Sequence, residues 1–95
     1  MGKIYLAFFA LPKPQREHAR IRDVIQAAAV GEIKQFPLPG GVGFLYESDR
    51  FPWQLDFARI LMNGDSKMVV EVGDDVCTEG FGAAAGWLNA RRPRR

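Results

Sequence analysis

The sequence has 95 residues, of which 47% are hydrophobic and 25% charged, with 13 Lys and Arg against 11 Asp and Glu. This length supports a single core, the composition excludes a disordered chain, and the lone Cys77 excludes an internal disulfide or a thiolate metal cluster. Four of the basic residues lie in the last five positions, so residues 1–90 hold nine basic and eleven acidic side chains. We therefore predict one slightly acidic domain over 1–90 and a disordered basic tail over 91–95.

The beginning of the chain predicts a strand followed by a helix. Residues 3–11 are apolar on both alternating sides, which is typical of a strand buried on both faces. Pro14 suits the first turn of a helix over 15–29, because proline lacks the N–H that a helix start leaves unpaired. The apolar stripe of this helix consists of His18, Ile21, Val24, Ile25 and Ala28.

The middle of the chain predicts a hairpin and a second helix. Pro37 restricts a strand over 32–38 to a sheet edge or a strand end, and a glycine-rich turn leads into a strand over 42–47. Ser48 or Asp49 can cap the second helix. Its apolar stripe consists of Trp53, Phe57, Ile60 and Leu61, and it ends at Asn63-Gly64.

A strand over 67–72 and a short helix over 81–90 complete the pattern. The element order predicts an α+β, ferredoxin-like βαββαβ fold, in which a four-stranded antiparallel sheet carries two helices on one face, plus a short C-terminal helix. Because the first strand is apolar on both sides, the second sheet face needs cover from the C-terminal segment, a second copy of the chain, or both. We expect a homodimer, with Tyr5, Ala7 and Phe9 on the sheet face that meets the partner.

Three stretches carry a resemblance to a known group. They are Tyr5-Leu6 through Leu11-Pro12-Lys13-Pro14, which precedes a helix, then Gly64 through Val72, and Gly73-Asp74 through Gly80-Phe81 to Trp87-Leu88. This pattern resembles small Cas2-like proteins, which comprise the CRISPR-associated adaptation scaffold and endoribonuclease family, VapD-like toxin relatives and SinR-like members. The resemblance implies a ferredoxin-like fold, a homodimer and a nucleic-acid partner.

The resemblance breaks at the position that matters for catalysis. Active members of the group place an Asp near the end of the first strand, where the pair in a dimer holds a divalent cation for phosphodiester hydrolysis. The corresponding residue here is Ala10, and neither Phe9 nor Leu11 supplies the oxygen ligand that such a cation needs. We therefore expect a catalytically inactive binding or assembly module with no cofactor, although the question of an enzyme stays open.

Other residues could carry chemistry, and each has a simpler interpretation. The acidic residues could serve an alternative metal-dependent nuclease, with Asp74 and Asp75 as the weak metal candidates, but their spacing is not that of a calcium loop and a solvated turn is favoured. His18 fits a partly buried packing residue, and Cys77 lacks a neighbouring His for a nucleophilic pair. The acidic residues are Glu71, Asp74, Asp75 and Glu79.

The glycines and tryptophans also favour structural roles. Residues 40–43 favour a hairpin turn over a phosphate loop, since no helix follows them. Gly82 and Gly86 predict a helix packed closely against another backbone. Trp53 and Trp87 fit core and lid positions better than base-stacking platforms.

The basic residues give the best functional hint. Each exposed cation could neutralise a phosphate, which predicts weak, sequence-independent binding of RNA or DNA. A solvated helix face and a tail that only aids solubility are the alternative interpretation. A regulator or inhibitor that binds another protein through the sheet is a third hypothesis. The candidate nucleic-acid contacts are Lys13, Arg16, Arg20, Arg91, Arg92, Arg94 and Arg95.

The apolar run at the N-terminus is shorter than a membrane span, and it is not followed by the small residues that mark the cleavage site of a signal peptide. Together with the unpaired cysteine, this predicts a cytoplasmic protein with no membrane partner.

Overall fold

The computed structural model describes residues 2–12, 18–73, 77 and 79–91. They form an α+β fold with a four-stranded antiparallel sheet and two α-helices. The elements in chain order are β1 (Lys3–Ala10), α1 (Ala19–Ala28), β2 (Lys34–Leu38), β3 (Gly41–Ser48), a 3-10 turn (Pro52–Gln54), β4 (Ser66–Glu71) and α2 (Ala83–Arg91).

The strands lie in the order β2-β3-β1-β4, so β1 and β3 are central and β2 and β4 are the two edges. The prediction that Pro37 belongs to an edge strand is confirmed, since proline has no N–H to donate to a neighbouring strand. Leu38 pairs with Gly41, which leaves Pro39 and Gly40 as the hairpin turn. Gly40 has a φ of 71°, a conformation that glycine adopts without strain. The predicted turn is therefore confirmed at Gly40, whereas Gly41 and Gly43 belong to β3.

One sheet face, here called the α1 face, carries Tyr5, Ala7 and Phe9 of β1. All three are buried, and they pack with Ile21 and Ile25 of α1 in the main core. These β1 residues, which the sequence analysis placed at the partner interface, are covered within the chain by α1 and by the segment after β3. The helical stripe predicted for α1 is confirmed at its buried positions, Ile21, Ile25 and Ala28.

The predicted second helix does not form. The segment after β3 has one 3-10 turn and then irregular turns. Leu55 and Phe57 are buried two residues apart, which is an extended rather than a helical spacing. The side chain of Asp56 accepts a hydrogen bond from the N–H of Ala58 at 3.0 Å, and such local turns compete with helix formation. An extended segment therefore covers the α1 face where a helix was expected.

Ser48 has a different role from the predicted helix cap. Its Oγ donates a hydrogen bond to the carbonyl oxygen of Ala28 at 2.7 Å, and it accepts one from the N–H of Arg50 at 3.0 Å. Ser48 is almost fully buried. It therefore ties the end of α1 to the end of β3.

The opposite sheet face, here called the α2 face, carries Ile4, Leu6 and Phe8 of β1. The C-terminal helix α2 packs over β2 on this face, where Ala84, Trp87 and Leu88 join Phe36 and Leu45 in a second apolar cluster. The prediction of two helices on one face is wrong, since among the described helices only α1 lies on the α1 face and the second of those two helices does not form. The expected contribution of the C-terminal segment to the second face is confirmed.

The predicted close packing of Gly82 and Gly86 is wrong. Both glycines are exposed, and a Cβ atom at either position would meet nothing within 4 Å. Gly82 precedes α2 with a φ of 52°, which explains why a glycine is suited to that position. Neither described helix is long and apolar enough to cross a membrane.

Candidate functional site

The α2 face is covered over only half of its width. Helix α2 packs against β2, and beside it a groove of about 240 Å³ runs along β1 towards β4. The groove is lined mainly by apolar side chains, among them Leu6, Phe8, Leu45, Val70, Phe81 and Leu88.

The outer part of this face exposes large apolar side chains. On β4, Met68 is 62% exposed and Val70 is 39% exposed. Phe81, two residues before the start of α2, is 42% exposed. Isolated exposed apolar residues are ordinary, but a contiguous group beside a groove is typical of an interaction surface.

The groove has a simple origin in the alternation of β4. Met68 and Val70 pair with Phe8 and Leu6, so they lie on the α2 face, while Lys67 and Glu71 lie on the α1 face. The charged residues of this strand therefore leave the α2 face to apolar side chains.

The sequence predicted the need for this cover but not its location. The sequence shows that both sides of β1 are apolar, and the side that it predicted to meet a partner is the one that α1 buries. The sequence signal for the groove is the alternation of Met68, Val70 and Val72 with Lys67 and Glu71, because it leaves one side of the strand without charge. It could not be assigned to a face until the strand order was known.

The predicted nucleic-acid contacts are not brought together within the part of the chain that is described. Arg20 is exposed on α1. Arg91 is half-buried, with its guanidinium 3.9 Å from the centre of the Trp87 ring and a hydrogen bond to the Trp87 carbonyl at 3.2 Å. The other candidates, Lys13, Arg16, Arg92, Arg94 and Arg95, lie outside the described residues.

The two tryptophans differ in their surroundings. Trp87 is buried, and its Nε1 donates a hydrogen bond to the carbonyl oxygen of Glu32 at 3.2 Å, which confirms the lid position. Trp53 is 77% exposed, so the core prediction for it is wrong. Its ring stacks on Phe51 with 5.9 Å between centroids and 7° between planes. The pair is an exposed aromatic stack on the loop after β3.

The candidate catalytic groups remain separate. Ala10 lies at the end of β1 between Gly41 and Ser66. His18 is half-buried at the start of α1, as predicted, and Cys77 is exposed. Among the described residues no three His, Cys, Asp or Glu side chains lie close enough to hold a metal ion. Asp74 and Asp75 lie outside the described residues.

Within the described part of the chain, Tyr46 is a buried group whose pKa is shifted. It lies on β3 in the main core, where burial, and to a smaller extent the neighbouring Tyr5, raises its pKa to about 12. Its hydroxyl has no hydrogen-bond partner among the described residues. Because its ring packs in the main core, its role is structural.

Comparison with known proteins gives no assignment. No protein-family model, no curated protein and no solved structure matches this chain.

Proposed function

We propose that this protein is a small, non-catalytic binding and assembly module, and that the groove on the α2 face is its docking site. The observation that carries the proposal is the incomplete cover of this face beside the exposed Met68 and Val70. A fold that already encloses the α1 face leaves this half of the sheet open to a partner.

The size and chemistry of the groove favour an apolar segment of a protein partner. Its volume of about 240 Å³ lies below the ~300–1,000 Å³ that is typical of sites for drug-sized ligands. A groove of this size suits a few apolar side chains of a docked chain. Leu6, Phe8 and Val70 supply the complementary surface.

A substitution at the rim of the groove tests this proposal. Val70→Asp places a charge among apolar side chains, and we expect roughly tenfold weaker binding of the dye 1-anilinonaphthalene-8-sulfonate, measured by fluorescence titration. Val30→Asp is the matched control, because Val30 is 51% exposed and does not line the groove. Equal dye binding by wild type and Val70→Asp contradicts a docking role for the groove.

The strand order supports a ferredoxin-like arrangement as part of the proposal. In such folds the first and third strands are central, and β1 and β3 occupy those positions here. The extended segment containing Leu55 and Phe57 takes the place of the second helix. On this basis we retain the resemblance to Cas2-like proteins as a hypothesis, with Ala10 in place of the catalytic Asp.

Weak binding of single-stranded nucleic acid is a second candidate function. The observation that favours it is the exposed Trp53 stacked on Phe51, since bases stack on exposed aromatic rings without sequence preference. The basic residues of the chain, with Arg20 exposed on α1, would supply contacts to phosphate.

A salt series tests this second function. We expect affinity for a fluorescent oligonucleotide to fall as salt rises, to drop roughly tenfold in Trp53→Ala, and to lose part of its salt dependence when residues 92–95 are removed. Truncation after Arg91 retains the contact of that residue with Trp87. An affinity that responds to neither salt nor these changes contradicts the hypothesis.

A further inference from the structure

Strand β4 is an open edge of the sheet. It pairs with β1 on one side, and no described strand pairs with its other side. Five of its six residues are exposed, and the sixth, Val69, is half-buried. Helices α1 and α2 pack against β3 and β2, away from this edge. An unprotected strand of this kind is a template for pairing with another strand.

The hydrogen-bond pattern fixes which residues of β4 face outwards. The N–H of Val72 donates to the carbonyl oxygen of Ile4 at 2.8 Å, so these two residues form a hydrogen-bonded pair. Such pairs alternate along an antiparallel ladder. Ser66, Met68 and Val70 therefore bond to β1, and the backbone groups of Lys67, Val69 and Glu71 point away from the sheet.

We propose that a second copy of this chain pairs with β4, antiparallel and centred on Val69, so that two sheets join into one. This inference rests on the assembly role proposed above and specifies its interface. In this register Val69 lies opposite Val69 of the second copy, and Lys67 lies opposite its Glu71. Each of these outward-facing pairs exchanges two backbone hydrogen bonds.

Charge selects this register among the alternatives. Centring the pair on Lys67 or on Glu71 sets like charges directly opposite each other, which destabilises a sheet. Centring it on Val69 gives two Lys67–Glu71 pairs on the α1 face. Centring the pair on Met68 or on Val70 leaves Lys67 and Glu71 without an oppositely charged residue directly across. The sequence Lys67-Met68-Val69-Val70-Glu71 is therefore complementary to itself when reversed.

Apolar contacts favour the same register. Met68 lies opposite Val70 of the second copy, so the exposed apolar residues of the two α2 faces meet across the joint.

The existing contacts of the charged residues are compatible with pairing. Glu71 is bonded to Lys3 at 3.5 Å in a largely exposed ion pair, and Lys67 lies 5.2 Å from the centre of the Phe57 ring. Both side chains thus remain near the edge where the second copy arrives.

A proline substitution removes the proposed pairing without touching the β1 ladder. Val69→Pro deletes one outward N–H, and we expect a monomer in sedimentation velocity at concentrations where the wild type is a dimer. The matched control is Gln35→Pro on the other edge strand. Pro37 has no N–H, which places positions 35 and 37 on the outward side of β2. This control is expected to remain dimeric.

A charge exchange tests the register independently of any folding defect from proline. Lys67→Glu sets two glutamates opposite each other, and we expect the dimer to dissociate roughly tenfold more readily, with a similar effect for Glu71→Lys. The double variant restores opposite charges, and its dissociation constant is expected to return to within about threefold of wild type. Circular dichroism verifies that each variant is folded.

The outcomes separate this inference from the docking role of the groove. A wild type that stays monomeric at all concentrations contradicts the β4 pairing, and so does a dimer that survives both Val69→Pro and the single charge reversals. A dimer lost only in Val70→Asp indicates a face-to-face interface and also contradicts it. In each of these cases, dye binding that is weakened by Val70→Asp still supports the docking role of the groove. Conversely, a dimer that depends on β4, together with dye binding that Val70→Asp leaves unchanged, contradicts the docking role and supports the β4 pairing.

Discussion

Tyr46 shows how a single residue can be well packed and still costly. Its ring lies in the main core beside Tyr5, with 5.5 Å between the ring centroids. The hydroxyl loses its contact with water and finds no partner among the described residues. A buried polar group without a hydrogen bond costs about 1–3 kcal/mol, so the ring stabilises the fold while its oxygen opposes it.

The raised pKa of Tyr46 predicts a loss of stability at alkaline pH. The unfolded tyrosine ionises near its ordinary value of 10.0, while the folded one ionises only at about 12. Below pH 10 both states are protonated and the contribution is constant. As pH rises from about 10 to about 12, only the unfolded state releases its proton, so the free energy of unfolding falls, by about 2–3 kcal/mol in total.

Urea unfolding of Tyr46→Phe checks this prediction. At pH 7 we expect the variant to be about 1 kcal/mol more stable than wild type, because the unpaired hydroxyl is gone. Above pH 10 the difference between the two proteins should widen, since only the wild type carries the Tyr46 ionisation. Tyr5→Phe serves as the control and should retain most of the alkaline decline, because burial is the main cause of the shift. Parallel pH profiles for wild type and Tyr46→Phe would rule out this assignment.

At the scale of elements, two glycines show opposite demands. Gly43 on β3 lies against the ring of Phe36, and a Cβ atom there would collide with that ring. Gly86 lies within α2, and a Cβ atom there would meet nothing within 4 Å. One glycine is required by packing, whereas the other only lowers the helix propensity of its element.

These environments predict changes of opposite sign. Gly43→Ala should destabilise the protein by about 1–3 kcal/mol through overpacking, and adding Phe36→Leu should recover part of the loss. Gly86→Ala should stabilise it by up to about 1 kcal/mol, as expected for alanine in an open helical position. Chemical denaturation at pH 7 measures all three variants. A destabilised Gly86→Ala would indicate a contact against α2 that the described residues do not make.

The secondary structure could be predicted where local patterns agree with tertiary packing. The apolar run of β1, the stripe Ile21, Ile25 and Ala28 of α1, and the turn at Pro39-Gly40 all follow from local spacing. The second helix could not be excluded in this way, because Phe57, Ile60 and Leu61 also fit a helical stripe. The competing turn at Asp56 and the burial of Leu55 become apparent only in the structure.

At the scale of the whole molecule, the sequence predicted an apolar surface that needs cover, but the face it named, with Tyr5, Ala7 and Phe9, is already covered within the chain. Alternation shows that a strand has two apolar sides, yet it does not show which side a helix will cover. That choice depends on the long-range pairing of β1 with both β3 and β4 and on the return of α2 to the far face. The basic residues, by contrast, remain a compositional hint, since only Arg20 and Arg91 among the predicted contacts are described.

Pro37 has a consequence for how large an assembly of this chain can grow. Strand β2 offers an outer edge interrupted by a residue with no N–H, whereas β4 offers an uninterrupted one. A molecule in which both sheet edges can pair with further strands can add copies end to end and form fibres. With one edge unsuited to further addition, two copies joined through β4 form a closed, twofold-symmetric unit, and growth stops there.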